Sequence, residues 1–341
     1  MEDEKYMRRC IQLARNGLCN TAPNPMVGAV IVHGGRIIGE GYHVRCGQAH
    51  AEVNAIRSVK NPALLKEATI YVSLEPCAHY GKTPPCADLI VEKQIPRIVI
   101  GCQDPFAKVA GRGIQKLRNA GREVIIGVLE EECRDLIRRF ITFHTRQRPY
   151  ITLKWAESAD GFIDRKRTNG TPAILSNPLT AMLVHKKRAE HAAILVGTDT
   201  ALLDNPCLNV RHWYGSSPVR VTIDRHHRLP QHLHLFDGSQ PTLVYTQESL
   251  PEIMKDLYDR QLQSLLVEGG SRLLQSFIDA GLWDEVVVEE SSQILGNGVK
   301  APILSAQIPY QRECHFGHGY RHYFTQEKLL PPTDIPAPKG S

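Results

Sequence analysis

Ala49-His50-Ala51-Glu52, then Glu75-Pro76-Cys77 and, nine positions on, Cys86, form the pattern on which the fold and chemistry of this chain turn. One imidazole and two thiolates are three of the four ligands of a tetrahedral zinc, and an open fourth place separates a catalytic site from a structural one. Glu52 stands two residues from His50, near the start of a helix predicted over His50 to Val59, close to the metal without being a ligand. A carboxylate there can take a proton from water and pass it to a ring nitrogen and a departing amine. A helix start also offers a favourable field for charged groups. The run Thr69-Ile-Tyr-Val-Ser-Leu74 reads as a buried strand, so the cysteines follow a strand.

Upstream, Met7, Ile11, Leu13 and Ala14 recur near helical spacing, and a Pro/Asn/Gly loop spans Thr21 to Val27. Strands over Gly28 to Val32 and Ile37 to Gly41, joined at Gly34-Gly35, predict a hairpin. Downstream, the spacing predicts a helix (Ala87 to Lys93), a strand (Arg97 to Gly101), a helix (Gly113 to Ala120), a strand (Glu123 to Gly127) and an amphipathic helix (Glu130 to Thr145). Such alternation implies an α/β domain with a layered sheet. Arg146-Gln-Arg-Pro149 reads as a boundary, after which a second alternating pattern opens with the strand Tyr150 to Trp155. That pattern runs through a helix near Pro178 to Glu190, strands at Ala193 to Gly197, Val219 to Asp224 and Thr242 to Thr246, and a helix near Pro251 to Arg260. It closes with the strand Ser264 to Glu268, the helix Leu273 to Ala280 and the strand Glu285 to Glu289. No internal repeat is visible, and the Pro-rich tail, residues 329–341, reads as disordered.

The 341 residues suffice for two domains. Forty-one basic against 36 acidic residues leave a net charge of +5, too weak to argue for nucleic acid, which needs a concentrated basic face. No run reaches the roughly 18 apolar residues of a membrane span, and Met1-Glu-Asp-Glu-Lys-Tyr-Met-Arg-Arg9 lacks the apolar core of a signal peptide. Nine scattered cysteines fit a reducing compartment. The expectation is a cytoplasmic protein with no membrane and no nucleic-acid partner.

Deaminases of nucleobases share His-x-Glu followed by Pro-Cys-x-x-Cys. The chain keeps His50-Ala-Glu52 and Pro76-Cys77, but eight residues separate its cysteines where two are usual. The insertion, Ala78 to Pro85, must loop out and return Cys86 to the metal. The residues thus read as a zinc deaminase of a nucleobase-like ring, with His50, Cys77 and Cys86 on the metal and Glu52 catalytic. A structural zinc closed by His79, in a ligand-binding protein, competes with this and predicts no ammonia release. Another nucleotide or tRNA deaminase, with an inactive or non-reductase second domain, would carry the short cysteine spacing.

Asn24-Pro-Met-Val-Gly28, His43, His50-Ala-Glu52, Glu75-Pro-Cys-Ala-His-Tyr-Gly-Lys-Thr-Pro-Pro-Cys86 and Val109-Ala-Gly-Arg-Gly113 resemble the bifunctional deaminase/reductase of bacterial riboflavin biosynthesis. That family shows the same long gap between the cysteines, and the likeness covers nearly the whole chain. It implies a cytidine-deaminase-like three-layer α/β/α domain over residues 1–145. Its substrate would be 2,5-diamino-6-ribosylamino-4(3H)-pyrimidinone 5′-phosphate, losing the 2-amino group as ammonia. Asn24, His43 and Lys82 match the family's substrate contacts: an amide suits a pyrimidine edge, and a lysine suits a phosphate. Their plain readings are a turn, a surface histidine and a solvated lysine. Asp104-Pro-Phe-Ala107 departs from the family's Asp-Pro-Asn-Pro-like stretch.

In the second half, Val267-Glu-Gly-Gly-Ser271 falls between a strand and a helix, where free backbone N–H groups can receive a phosphate. It lacks the dinucleotide fingerprint and reads equally as a tight turn. The resemblance adds Lys154-Trp-Ala-Glu-Ser-Ala-Asp-Gly161, Leu195-Val-Gly197, Thr200, Asp204-Asn-Pro206, Leu208 and Arg211, in the family's order. It implies a dihydrofolate-reductase-like α/β domain over residues 149–328. There NADPH would reduce the ribosyl carbon to give 5-amino-6-ribitylamino-uracil 5′-phosphate. Ala156, Ala173, Thr200, Asp204 and the run Gly270, Ser271, Arg272, Leu273, Leu274, Gln275, Ser276 match NADPH contacts. Lys154, Thr171, Arg188, Leu208, Arg211 and Glu268 match substrate contacts, arginine forks suiting phosphate. The plain readings of Arg188 and Arg211 are a helix-surface charge and a loop residue.

The loop Asn169-Gly-Thr-Pro-Ala-Ile-Leu175 departs from the family's Gly-x-Ser-x-Trp-Ile-Thr, with Ala173 for the tryptophan and Leu175 for the threonine. Arg225 reads as a solvated arginine, with the 2′-phosphate of NADPH as its other reading. The resemblance also implies a homo-oligomer.

Overall fold

The computed structural model describes residues 2–78, 84–105, 111–167 and 171–325. His79, Lys82, Phe106, Asn169 and the Pro-rich tail lie outside the described residues. The chain divides into two compact units: residues 1–149 with 254–263, and residues 150–253 with 264–341.

In the first unit, α1 (Glu2–Ala14) leads to the hairpin β1 (Gly28–His33) and β2 (Arg36–Tyr42), then to α2 (Ala51–Ser58) and β3 (Thr69–Leu74). After these come α3 (Cys86–Glu92), β4 (Arg97–Cys102), α4 (Arg112–Asn119), β5 (Glu123–Ile126), α5 (Glu130–Leu136) and α6 (Arg138–Arg146). The sheet order is β2-β1-β3-β4-β5. β1 pairs antiparallel with β2 and β3, whereas β3, β4 and β5 run parallel.

Successive strand residues face opposite sides of a sheet. Ala29 and Ile31 of β1 accordingly join Ile70, Val72, Ile98 and Ile100 beneath the helices that carry Ala55, Ile90 and Leu117. Val30 and Val32 join Tyr71 and Val99 against Met7, Cys10 and Cys133 on the other side. Two covered faces explain why Ala29 to Val32 of β1 and Ile70 to Val72 of β3 are apolar without alternation, and they give the expected three layers.

Helix α2 lies directly on β2: a Cβ at Gly41 would stand 2.4 Å from the backbone nitrogen of Ala55, and one at Gly39 2.6 Å from its carbonyl oxygen. Only glycine permits that approach. One expected helix is divided. Ile137 leaves helical geometry (φ −106°, ψ 18°) within the predicted Glu130 to Thr145 segment. The break lets α5 bury Cys133 while α6 turns Thr142 and Phe143 inward. Periodicity along one axis cannot register such a change of direction.

The second unit contains β6 (Tyr150–Glu157), β7 (Phe162–Asp164), α7 (Pro178–Ala189), β8 (Ala193–Gly197), α8 (Thr198–Asp204), β9 (Val219–Ile223) and β10 (Thr242–Tyr245). After α9 (Leu250–Asp259), whose residues 254–259 belong to the first unit, it continues with β11 (Ser264–Gly269), α10 (Ser271–Asp279), β12 (Glu285–Glu290), β13 (Val299–Lys300), β14 (Tyr310–His315) and β15 (His318–Phe324). The large sheet has the order β10-β9-β8-β11-β6-β12-β15-β14. The strands from β10 to β12 are parallel, and β15 and β14 close one edge antiparallel. The parallel strands end at a common side, where an open α/β sheet presents its ligand crevice.

Candidate functional site

The metal donors meet at two helix starts. His50 is the residue before α2, Cys77 follows β3, and Cys86 opens α3. The Sγ atoms of Cys77 and Cys86 lie 3.6 and 3.4 Å from Nδ1 of His50. Among the described residues these form the one group of three donors whose ligating atoms lie within 4.8 Å of one another. An imidazole and two thiolates at that separation fit zinc in kind and number.

The electrostatics point the same way. A hydrogen bond from Cys86, helped by His50, brings the Cys77 thiol down to about 4. The same contact with Cys77, together with burial, raises the Cys86 thiol. Hydrogen bonding to Cys77 raises the imidazole of His50. Glu52, in the first turn of α2, is 3% exposed. Burial and the nearby Cys77 push its carboxyl up to about 7, the range in which a group exchanges protons near neutral pH.

Asn24 and His43 are brought to the same place. Asn24 Nδ2 lies 3.1 Å from His43 Nε2, while His43 Nδ1 meets the carbonyl of Ala49 at 3.1 Å. Burial lowers the imidazole of His43, and its ring stands edge-on to that of His50 at 5.4 Å.

Glu75 was quoted above only as part of a motif, yet it holds the loop that carries Cys77. Its buried carboxylate accepts the amides of Asp104, Gly111, Gly113 and Ile114 at 2.9–3.3 Å. The Gly113 and Ile114 amides lie in the first turn of α4, so the carboxylate serves as a cap from a distant strand end. The Glu-Pro-Cys order was the available signal, without indicating what the glutamate binds.

The second unit opens a cleft of about 930 Å³ at the ends of β6, β8, β9 and β11, within the size range of cofactor and substrate sites. Of the NADPH expectations, Ala156, Ala173, Thr200 and Asp204 line it, as do Gly270, Ser271, Arg272, Leu273, Leu274 and Ser276. Gln275 turns aside to bond the backbone of Ile303. Gly269 has φ +123°, and a Cβ on Gly270 would stand 3.2 Å from Thr200 Oγ1. The turn therefore keeps a bare backbone at the start of α10, a cradle that fits a phosphate-bearing cofactor. Asp204 is held by Arg167.

Of the substrate expectations, Lys154 and Glu268 line the cleft. Arg188 grips Glu268 through two bonds of 2.9 and 2.6 Å, so it is a half-buried, paired residue rather than a free helix-surface charge. Leu208 is buried, Thr171 is exposed, and Arg211 bonds Asn209 at the surface. Leu175 is buried. Arg225 lines the cleft but donates to the carbonyls of Gln247 and Glu248.

Residues 1–102 match the family profile described as the cytidine and deoxycytidylate deaminase zinc-binding region, and residues 149–316 match the RibD C-terminal domain. The riboflavin biosynthesis protein RibD of Aquifex aeolicus is 38% identical over 87% of this chain and 89% of its own length. That of Escherichia coli K12 is 36% identical over 88% and 90%. A solved Thermotoga maritima structure superposes with a TM-score of 0.86 at 38% identity, covering 95% of this chain and 98% of its own. Its description is a diaminohydroxyphosphoribosylaminopyrimidine deaminase/5-amino-6-(5-phosphoribosylamino)uracil reductase.

Proposed function

Because the chain belongs to the RibD family of riboflavin biosynthesis proteins, we propose that His50, Cys77, Cys86 and Glu52 carry out its deamination and that the second-unit cleft carries out its reduction. The chain is a bifunctional deaminase and reductase that uses zinc and NADPH on a small phosphorylated pyrimidine. The carrying observation is the meeting of one imidazole and two thiols beside the buried carboxyl group of Glu52.

His50, Cys77 and Cys86 would hold zinc, which would supply the Lewis acidity that makes water a nucleophile near neutral pH. Glu52 accepts a proton from that water and returns it to the ring nitrogen and the departing ammonia. Asn24, its amide fixed by His43, presents hydrogen-bonding groups to the pyrimidine edge, and Lys82 pairs with the phosphate. The substrate is 2,5-diamino-6-ribosylamino-4(3H)-pyrimidinone 5′-phosphate.

The cleft would hold NADPH, which when bound would supply the hydride for reduction of the ribosyl carbon. Ala156, Thr200 and the Gly270 to Ser276 turn orient the cofactor. Lys154 and the Arg188–Glu268 pair hold the sugar phosphate, with Thr171, Leu208 and Arg211 beside them. Deamination is assigned to residues 1–145 and reduction to residues 149–328. We place the protein in the cytoplasm as a homo-oligomer, to be checked by light scattering. No helix among the described residues is long and apolar enough to cross a membrane.

The test is to supply the diaminopyrimidine phosphate to zinc-loaded protein and follow ammonia and then NADPH. Absence of ammonia refutes the deaminase assignment. Glu52→Gln is expected to retain zinc while ammonia release falls at least about a hundredfold; undiminished release would remove Glu52 from its role.

A further inference from the structure

Residues 254–263 come late in the chain, inside the stretch assigned above to reduction, yet they belong to the first compact unit. Two contacts tie them to it. The ring of Tyr258 on α9 lies 4.6 Å from that of Phe143 on α6, which is 1% exposed. Helix α9 then ends in a closed turn. The Leu262 amide donates to the Leu257 carbonyl at 3.0 Å and the Gln261 amide to the Tyr258 carbonyl at 2.8 Å, with Gln261 left-handed at φ +63°. The turn delivers Gln263, the second contact. It is 6% exposed and donates from Nε2 to the carbonyl of Pro23 at 2.7 Å, 240 positions earlier in the chain.

Pro23 precedes Asn24 in a loop that has little of its own to hold it. In Ala22-Pro-Asn-Pro25 both prolines lack an N–H. The amide of Asn24 goes to the Thr21 carbonyl at 2.8 Å. Ala22 and Pro23 are exposed, so packing adds little restraint. A backbone carbonyl that meets a buried side chain needs a donor there, and Gln263 is that donor for Pro23. On the other side of the residue, the Asn24 side chain meets Nε2 of His43. Asn24 is therefore held twice, through its main chain by Gln263 and through its amide group by His43.

We propose that Gln263 is a positioning residue for the deamination, fixing the Pro23 carbonyl and so setting where Asn24 meets the pyrimidine. This rests on the reading that Asn24 contacts the ring. The deaminase thereby takes a working part from beyond residue 149, out of sequence that otherwise serves the reduction. Asn24 touches the ring edge before and during the reaction, so displacing it weakens ground state and transition state alike. A loss of that kind appears in KM and spares kcat.

The experiment uses the full zinc-loaded chain and the diaminopyrimidine phosphate, with NADPH oxidation on the deaminated intermediate as internal reference. Gln263→Met keeps length and bulk and removes the donor. Its KM for ammonia release is expected to rise about fivefold, the worth of one hydrogen bond, with kcat within about twofold. Zinc content and NADPH oxidation are expected to match wild type. A merely structural role would instead lower the active fraction, and with it kcat, at constant KM. A wild-type KM overturns the inference, as does a loss confined to kcat. If Gln263→Met does not fold, Gln263→Asn keeps a buried amide but stops one methylene short of the carbonyl. The same rise in KM is expected of it, and a wild-type KM again overturns the inference. Asn24→Ala separates the two claims. A raised KM there beside a wild-type KM in Gln263→Met overturns this inference alone, whereas a wild-type KM in Asn24→Ala overturns the reading of Asn24 and the inference with it.

Discussion

The carboxylate of Glu75 accepts the amide hydrogen of Gly113 at 2.9 Å, joining the residue before Pro76-Cys77 to the first turn of α4. Three further amides converge on the same carboxylate, which is 6% exposed. Glu75→Ala leaves four donors without their acceptor. At roughly 1 kcal/mol each, the first unit is expected to lose about 3–4 kcal/mol of stability and to hold zinc less tightly. Denaturant unfolding with metal analysis checks this; wild-type stability would deny the capping role.

Gly113 is close to Pro76 for a second reason. A Cβ there would stand 2.0 Å from the Pro76 carbonyl oxygen, so Gly113→Ala must displace the backbone leading into Cys77. A displacement of that kind at a catalytic group lowers the rate by about ten- to a hundredfold. Ammonia release is expected to fall by that factor while NADPH oxidation with the deaminated intermediate is unaffected. Equal losses in both reactions would point to general unfolding instead.

In the second unit, Arg220 of β9 is fully buried. It donates twice to the Cys207 carbonyl, at 2.8 and 3.0 Å, and also to Asp237 and Ser239. Arg220→Leu keeps bulk but strands the carbonyl and the carboxylate, and a loss of about 3 kcal/mol is expected. Thermal melting should show the change, with ammonia release intact at low temperature. An unaltered melt would show that the network contributes nothing.

His185 is 4% exposed. Burial, with Arg188 and Arg211 nearby, lowers its imidazole from 6.5 to about 4. Its Nδ1 accepts the Arg211 amide at 3.3 Å, which requires the neutral ring. The unfolded chain binds a proton near 6.5 and the folded chain only near 4, so stability falls as pH drops through that window. The expected contribution is at most about 3 kcal/mol. His185→Asn should flatten the slope of unfolding free energy between these pH values, and an unchanged slope would assign it to other groups.

The metal group was legible because its chemistry is written in close spacing: His50 and Glu52 share a helix turn, and each cysteine adjoins a proline. The layered α/β order was legible from apolar runs such as Gly28 to Val32. What escaped the sequence depends on partners far along the chain. Gln263 resembles any loop glutamine until the end of α9 delivers it to Pro23. Arg220 resembles a surface charge until two separate loops, one before β9 bearing Cys207 and one after it bearing Asp237, meet its guanidinium. The β14–β15 hairpin gave no alternating apolar signal because every residue of β14 is exposed. Asn24 and His43 were named through resemblance; only the folded hairpin shows that they touch.

The glycines of β2 carry a longer consequence. Because Gly39 and Gly41 let α2 rest backbone to backbone on the sheet, the height of His50 and Glu52 above it is set by main-chain atoms. Side chains elsewhere in the layer can change size over many generations without lifting the site. The two glycines cannot change in that way. Sequence drift is thereby decoupled from catalytic alignment, and the freedom of the surrounding core rests on two positions that have none.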